Sequence, residues 1–304
     1  MDLSSLAALG GAVRDGGDGM RDMPKPYWSD GTVTLRAGDA LAVLREMPDA
    51  SVNCAVTSPP YYSLRDYGVE GQYGMEDSPA EYVETMRRVF AEARRVLADD
   101  GTLWLNVGDT YYSGRGNPGP NSADVKQRAR RGWVRPVDRC SQPWGIKKSL
   151  IGIPWQVAFA LQQDRWCLRA AITWQRLTAV PEPSGHDRPW RTTEPLFLFT
   201  KRDRYWFDRT ALGGEEDVWT IEPDRSLDSG DHSAPFPVAL PMRCIGAGCK
   251  PGGVVLDMFA GTGTTCEAAR KLGRKAVGID LNPASLDLAI RHRLSQGDLF
   301  GDAA

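Results

Sequence analysis

The sequence predicts an α/β fold built on a mostly parallel sheet with helices on both faces. Three observations predict it. Strand-like and helix-like periods alternate along most of the chain, the strands are short apolar runs suited to burial on both sides, and the last unit reads strand, glycine turn, helix, strand, helix. With 304 residues, 41% of them hydrophobic and 25% charged, the chain can bury a large core, and disorder is excluded for its bulk.

Gly and Asp dominate residues 1–28, which are expected to form a mobile tail ahead of a domain spanning 29–304. The first strand is expected over Thr32–Leu35, a short helix over Ala40–Met47, and a buried strand over Val52–Val56 that ends in the rigid turn Ser58-Pro59-Pro60. Apolar residues at helical spacing predict a long helix over Pro79–Leu97, followed by strand Thr102–Val107. Residues 113–148 then break the rhythm with five glycines and four prolines. Helix Pro154–Gln163 and strands Leu168–Trp174 and Leu196–Thr200 restore it. A second irregular segment, 213–233, precedes a helix around Phe236–Ile245. Strand Val254–Asp257, helix Thr264–Leu272, strand Ala276–Ile279 and helix Pro283–Leu294 close the chain.

Lys and Arg number 37 against 39 Asp and Glu, so a uniformly basic coat that binds nucleic acid indiscriminately is excluded. Six cysteines with no C-x-x-C pair read as free thiols in a reducing compartment. Cys244 and Cys249 lack the second pair or histidine set of a zinc site, and no metal is expected. The uncharged stretch Ser149–Gln163 is too short to cross a bilayer, and Asp2 stands where a signal peptide would carry a base. A cytoplasmic protein without membrane contact is expected.

Two turns carry the chemistry. In Val254-Val255-Leu256-Asp257-Met258-Phe259-Ala260-Gly261-Thr262-Gly263-Thr264-Thr265 an apolar strand ends in an acid, and glycines let a ligand approach the start of a helix. A dinucleotide fingerprint would have glycine or alanine where Cys266 stands, and a phosphate-cradling loop would have lysine before Ser/Thr. Neither phosphate motif fits. In Thr57-Ser58-Pro59-Pro60-Tyr61-Tyr62 consecutive prolines fix the backbone and remove two amide donors, leaving acceptors beside an aromatic face. Acceptors plus a ring suit a flipped base with an exocyclic amine.

The first turn resembles the D-x-F-x-G-x-G-T-T element of S-adenosylmethionine-dependent DNA methyltransferases, and the second their amino-methylating tetrapeptide in its Ser-Pro-Pro-Tyr form. The base-side turn comes first and the cofactor turn last, an order similar to the beta class of these enzymes, and the similarity covers most of residues 31–294. It implies a Rossmann-like, circularly permuted methyltransferase sheet carrying irregular DNA-recognition insertions. It also implies methyl transfer from S-adenosylmethionine to a base amine in double-stranded DNA, with a cognate restriction endonuclease as a candidate partner. The serine form looks like the cytosine-N4 branch, adenine N6 being the alternative; a non-catalytic DNA-binding module and a nicotinamide oxidoreductase are more distant readings. No Pro-Cys dipeptide occurs, which removes cytosine-C5 chemistry.

The resemblance assigns catalysis to Ser58, Pro59, Pro60 and Tyr61. Ser58 and the Pro59 carbonyl would accept the two amine hydrogens while Tyr61 stacks on the base. It assigns cofactor contact to Asp39, Phe236, Pro237, Asp257, Phe259, Gly261, Gly263, Thr264, Asp280 and Asn282, the acid Asp280 suiting a ribose diol. Asn106 stands where some cytosine-N4 relatives have Asp, and Asp109 lies too far along the strand to substitute.

Tyr111–Leu150 holds nine bases and two acids, a net +7 that leaves −9 for the rest of the chain. Charge concentrated on one glycine-rich excursion is how a nearly neutral protein holds a phosphate backbone, with Arg128, Arg130, Arg131, Arg135, Lys147 and Lys148 as candidate contacts.

Overall fold

The computed structural model describes residues 23–112, 146–177, 187–214, 216–222, 224 and 236–295. In chain order the elements are β1 (Trp28–Ser29), β2 (Val33–Ala37), α1 (Ala40–Glu46), β3 (Val52–Thr57), α2 (Pro79–Val96), β4 (Leu97–Asn106), α3 (Ile153–Gln163) and β5 (Cys167–Arg176). They continue with β6 (Thr193–Thr200), β7 (Val218–Ile221), α4 (Ala239–Gly248), β8 (Val254–Asp257), α5 (Thr264–Lys271), β9 (Lys275–Asp280) and α6 (Pro283–Ala289). The strands form one sheet in the order β1-β2-β9-β8-β3-β4-β6-β5-β7. From β2 to β4 every pairing is parallel, whereas β6 runs antiparallel to both β4 and β5.

Alternating side chains send each strand into two cores. Ala55, Leu103 and Leu105 meet α1, α2 and α3 through Leu44, Phe90 and Leu161, while Cys54, Val56 and Trp104 meet α4, α5 and α6 through Ile245, Ala269 and Leu286. Helix α2 starts where Ser78 accepts from the Glu81 amide with Pro79 in the first turn, a cap that contributes about 1 kcal/mol. On the other face a Cβ on Gly248 would fall 2.3 Å from the Trp104 indole nitrogen, so only glycine lets α4 lie this close to β4.

Chain direction changes at the centre of the sheet. After β8 the chain enters α5 on one face, and after the adjacent β3 it enters α2 on the other. The carboxyl ends of β8 and β3 therefore border a crevice, where open α/β sheets place their ligands.

Three expectations are corrected. The fold begins before residue 29: Trp28–Ser29 pairs with β2, Arg36 donates to the Pro24 carbonyl, and the Tyr27 hydroxyl donates to Asp287. The second irregular segment contains β7, which adds in parallel to β5. The last helix ends at Ala289 and passes into a π turn over Ile290–Leu294. Among the described residues no helix is long and apolar enough to cross a membrane.

Candidate active site

At the end of β8 Asp257 is 2% exposed, and its two carboxylate oxygens are occupied. One accepts from the Thr57 hydroxyl at 2.7 Å and the Phe259 amide at 3.1 Å; the other accepts from the Thr265 hydroxyl at 2.7 Å. Burial, the largest effect, pushes its carboxyl up to about 6. Asp257 thus ties the end of β3 to the glycine turn.

That turn has Gly261 and Gly263 in the left-handed region, at φ 49° and 80°. Its hydroxyls at Thr262 and Thr264 are buried and have no hydrogen-bond partner among the described residues. Asp280 ends β9, with one oxygen accepting from the Gly261 amide at 2.8 Å and the other from the Asn282 amide at 2.9 Å; burial raises its carboxyl. Asn282 in turn caps α6. Asp39 caps α1 at the end of β2 and accepts from the Tyr73 hydroxyl, and the Tyr73 ring stands edge-on to Phe259 at 5.6 Å. Two orphaned hydroxyls, helix-start amides, an acid and an aromatic corner fit a ligand with a charged end, a diol and a flat ring. Phe236 and Pro237 lead into α4; Phe236 packs on the core that α4 shares with α5 and α6, and Pro237 is buried.

Beyond the Thr57–Asp257 bond lies the Ser-Pro-Pro-Tyr turn. The Tyr61 ring covers Gly108, where a Cβ would come within 2.1 Å of it. Its hydroxyl lies 2.7 Å from Glu194 Oε2 and 3.0 Å from Asn106 Oδ1. Ser58 Oγ lies 3.3 Å from Asn106 Oδ1 and 3.4 Å from the Tyr61 hydroxyl. Asn106 Nδ2 donates to the Pro195 carbonyl at 3.1 Å and to Glu194 Oε2 at 3.3 Å, and Arg176 pairs with Glu194 Oε1 at 3.1 Å. Burial, reinforced by the Glu194 charge, holds the Tyr61 phenol well above its ordinary range. A strand-end serine, an aromatic ring and a carboxylate converge one strand away from the glycine turn.

Residues 52–291 match the family model described as DNA methylase, of the N6/N4 type. The chain belongs to this family. The Type II methyltransferase M.Cfr9I of Citrobacter freundii is 46% identical, with 84% of this chain and 86% of that protein covered. M.SmaI of Serratia marcescens is 41% identical over 83% of this chain and 87% of its own. Among solved structures, the cytosine-N4-specific PvuII DNA methyltransferase aligns with a TM-score of 0.69 at 19% identity, covering 91% of each chain. A putative DNA modification methylase of Thermus thermophilus, solved complexed with S-adenosyl-L-methionine, aligns at 0.58 and 25% identity, over 84% of this chain and 90% of that one.

This DNA methylase is thus an S-adenosylmethionine-dependent enzyme with the α/β methyltransferase fold. Several residues near the turns have partners within the protein. Asp257 has its oxygens engaged within the protein and serves as the clamp between the two turns. The Pro60 carbonyl accepts from the Tyr82 hydroxyl at 2.9 Å, so it is spent on anchoring the turn to α2. Asp109 accepts from the amides of Gly152 and Ile153, capping α3.

Glu194 resembles a landmark of the family in sequence but has no site role there, for it reaches the pocket only through the β4–β6 pairing, in which Asn106 faces Leu196. Its signal was an acid heading an apolar strand. Lys147 is exposed, and Lys148 pairs with Asp187 at 2.5 Å. Arg128, Arg130, Arg131 and Arg135 lie outside the described residues. A second basic and aromatic group sits at the exit of β4. Arg188 lies over the Tyr111 ring at 3.9 Å, Arg191 is 5.2 Å from it and donates to the Asp109 carbonyl, and Trp190 is 55% exposed.

Proposed function

We propose that this enzyme methylates the exocyclic N4 of cytosine at a specific site in double-stranded DNA. The observation that carries the reading is the neutral hydroxyl of Ser58 at the head of the tetrapeptide, backed by the amide of Asn106. An exocyclic amine is a poor nucleophile because its lone pair is delocalised into the ring. Acceptance of its two hydrogens by Ser58 Oγ and the Pro59 carbonyl draws the nitrogen toward tetrahedral geometry and frees that lone pair. S-adenosylmethionine, when bound at the glycine turn, supplies an electrophilic sulfonium methyl. The Thr57–Asp257 bond sets the two turns at a fixed separation, so positioning provides most of the acceleration.

The two buried thiols of the strand and helix nearest the turns are poor nucleophiles. Burial holds Cys54, in β3, and Cys266, in α5, well above their ordinary range.

Asp39, Phe259, Gly261, Gly263, Thr264, Asp280 and Asn282 would line the cofactor subsite, with Phe236 and Pro237 closing it. The basic insertion 113–148 would hold the DNA backbone, and the Arg188–Arg191 group would extend that contact at the pocket mouth. The Type II names of the relatives favour a role beside a cognate endonuclease.

Nucleoside mass spectrometry of DNA from cells expressing the gene tests the reading. N4-methylcytosine is the expected product; N6-methyladenine alone would transfer the same geometry to the adenine branch and refute the choice of base.

A further inference from the structure

The base-side pocket contains more hydrogens than its geometry leaves free. Tyr61 has one hydroxyl hydrogen, Ser58 one, and the Asn106 amide two. Both amide hydrogens are committed, to the Pro195 carbonyl and to Glu194 Oε2, which turns Asn106 Oδ1 toward Ser58 and Tyr61. The Tyr61 hydrogen has two acceptors in reach, and the carboxylate at 2.7 Å outcompetes the amide oxygen at 3.0 Å because a charged acceptor makes the stronger bond. Asn106 Oδ1 is then left to accept from Ser58 at 3.3 Å. Every donor points away from the pocket, and the chain ends on Glu194.

From this ordering we infer that Glu194 is a positioning residue for methyl transfer, orienting the Ser58 hydroxyl so that Oγ presents only lone pairs to the base amine. The inference rests on the function proposed above and assigns part of its acceptor geometry to a residue outside the tetrapeptide. Position 106 carries an amide, which can face either way. The negative charge that fixes its direction comes from β6, across the antiparallel pair, and Arg176 on β5 holds the other carboxylate oxygen at 3.1 Å. Replacing the carboxylate by an amide removes this direction. A glutamine at 194 can donate to Tyr61 and no longer fixes the Asn106 amide, whose nitrogen can then turn to Ser58 Oγ and leave the Ser58 hydrogen facing the pocket. The acceptor becomes a donor facing an amine that also donates.

The test compares wild type with E194Q, E194D, Y61F and the E194Q/Y61F double variant, using unmethylated genomic DNA and radiolabelled S-adenosylmethionine. It also follows the Tyr61 Cζ carbon by NMR in 13C-tyrosine-labelled protein, with Y61F as the assignment control. E194Q is expected to lower kcat by about ten- to a hundredfold, with the KM for DNA and the cofactor affinity within about twofold. The Tyr61 resonance should move, and E194Q should cost less than about threefold more in the Y61F background, because the two residues act in one chain. E194D, which keeps the charge, should exceed E194Q in kcat by at least about threefold.

A kcat for E194Q within about threefold of wild type, losses that multiply in the double variant, or an unmoved Tyr61 resonance would overturn the assignment. If E194Q does not fold, E194D carries the test: a slowed kcat with a shifted resonance supports the chain, and neither change refutes it. Wild-type enzyme that methylates no DNA would refute the proposed function instead. The resonance, read without substrate, still decides the hydrogen-bond order.

Discussion

Replacing Asp257 by Asn separates the charge of this clamp from its shape. The carboxyl is buried, and burial moves it from its ordinary value of 3.8 to about 6; the nearby Asp280 charge adds to the rise, and the Thr265, Thr57 and Phe259 donors oppose it. The unfolded chain releases this proton near its ordinary value. Between about pH 4 and pH 6 the folded state therefore holds a proton that the unfolded state has lost. The direction follows: acid favours the folded state through this group, and the advantage disappears as pH rises through the folded value. A rise of about two units corresponds to about 3 kcal/mol in full, of which about 2 kcal/mol is realised by pH 4. Asn at 257 can still accept from Thr57 and Phe259. Its amide can donate to Thr265, whose hydroxyl has the Val56 carbonyl at 3.4 Å as an alternative acceptor. Urea unfolding of both proteins from pH 7.5 to pH 4 should show wild-type stability gaining about 2 kcal/mol on the variant as pH falls. A difference that stays flat to within about 0.5 kcal/mol, or grows with rising pH, would refute the assignment of Asp257 as a desolvated clamp.

Other outcomes follow from single contacts. Gly108→Ala drives a methyl group into the Tyr61 ring, so turnover should fall by at least about tenfold while cofactor affinity is kept; calorimetry beside a steady-state assay reads both. Asp280→Ala leaves the Gly261 and Asn282 amides without their acceptor and should weaken S-adenosylmethionine binding by about tenfold or more in calorimetry, an unchanged affinity counting against the subsite. Neutralising Arg128, Arg130 and Arg131 together should flatten the salt dependence of DNA binding by up to about three units of slope and leave cofactor affinity alone. Parallel lines in a salt series would show that the segment makes no phosphate contact.

Legibility in the sequence tracked locality. The unit from Val254 to Leu272 was readable because strand, glycine turn and helix are adjacent in the chain, and the observed β8 and α5 fall almost where periodicity puts them. Ser58 and Tyr61 were found for the same reason. Strand β7 was lost between acids, although its alternating exposed and buried residues carry a two-residue period. The engagement of Asp257 was hidden because its partner Thr57 lies 200 residues away, and that of Glu194 because Tyr61 lies 133 away. An acid at the end of a strand looks alike in sequence whether it faces a ligand or its own protein. Only the register between strands tells the two apart.

The 200-residue separation between Thr57 and Asp257 also dictates when the enzyme comes into being. Strand β3 lies between β4 and β8, and β8 leaves the ribosome 200 residues after β3. At about 5–20 residues per second, a nascent chain carries the flank of β3 without its neighbour for roughly 10–40 seconds. That flank is an unpaired row of amides and carbonyls, the kind of edge that recruits foreign strands. Base pocket and cofactor turn are joined only when β8 and β9 dock, so no shorter intermediate holds the whole site. Methylating capacity thus appears in one step, once β8 and β9 have docked.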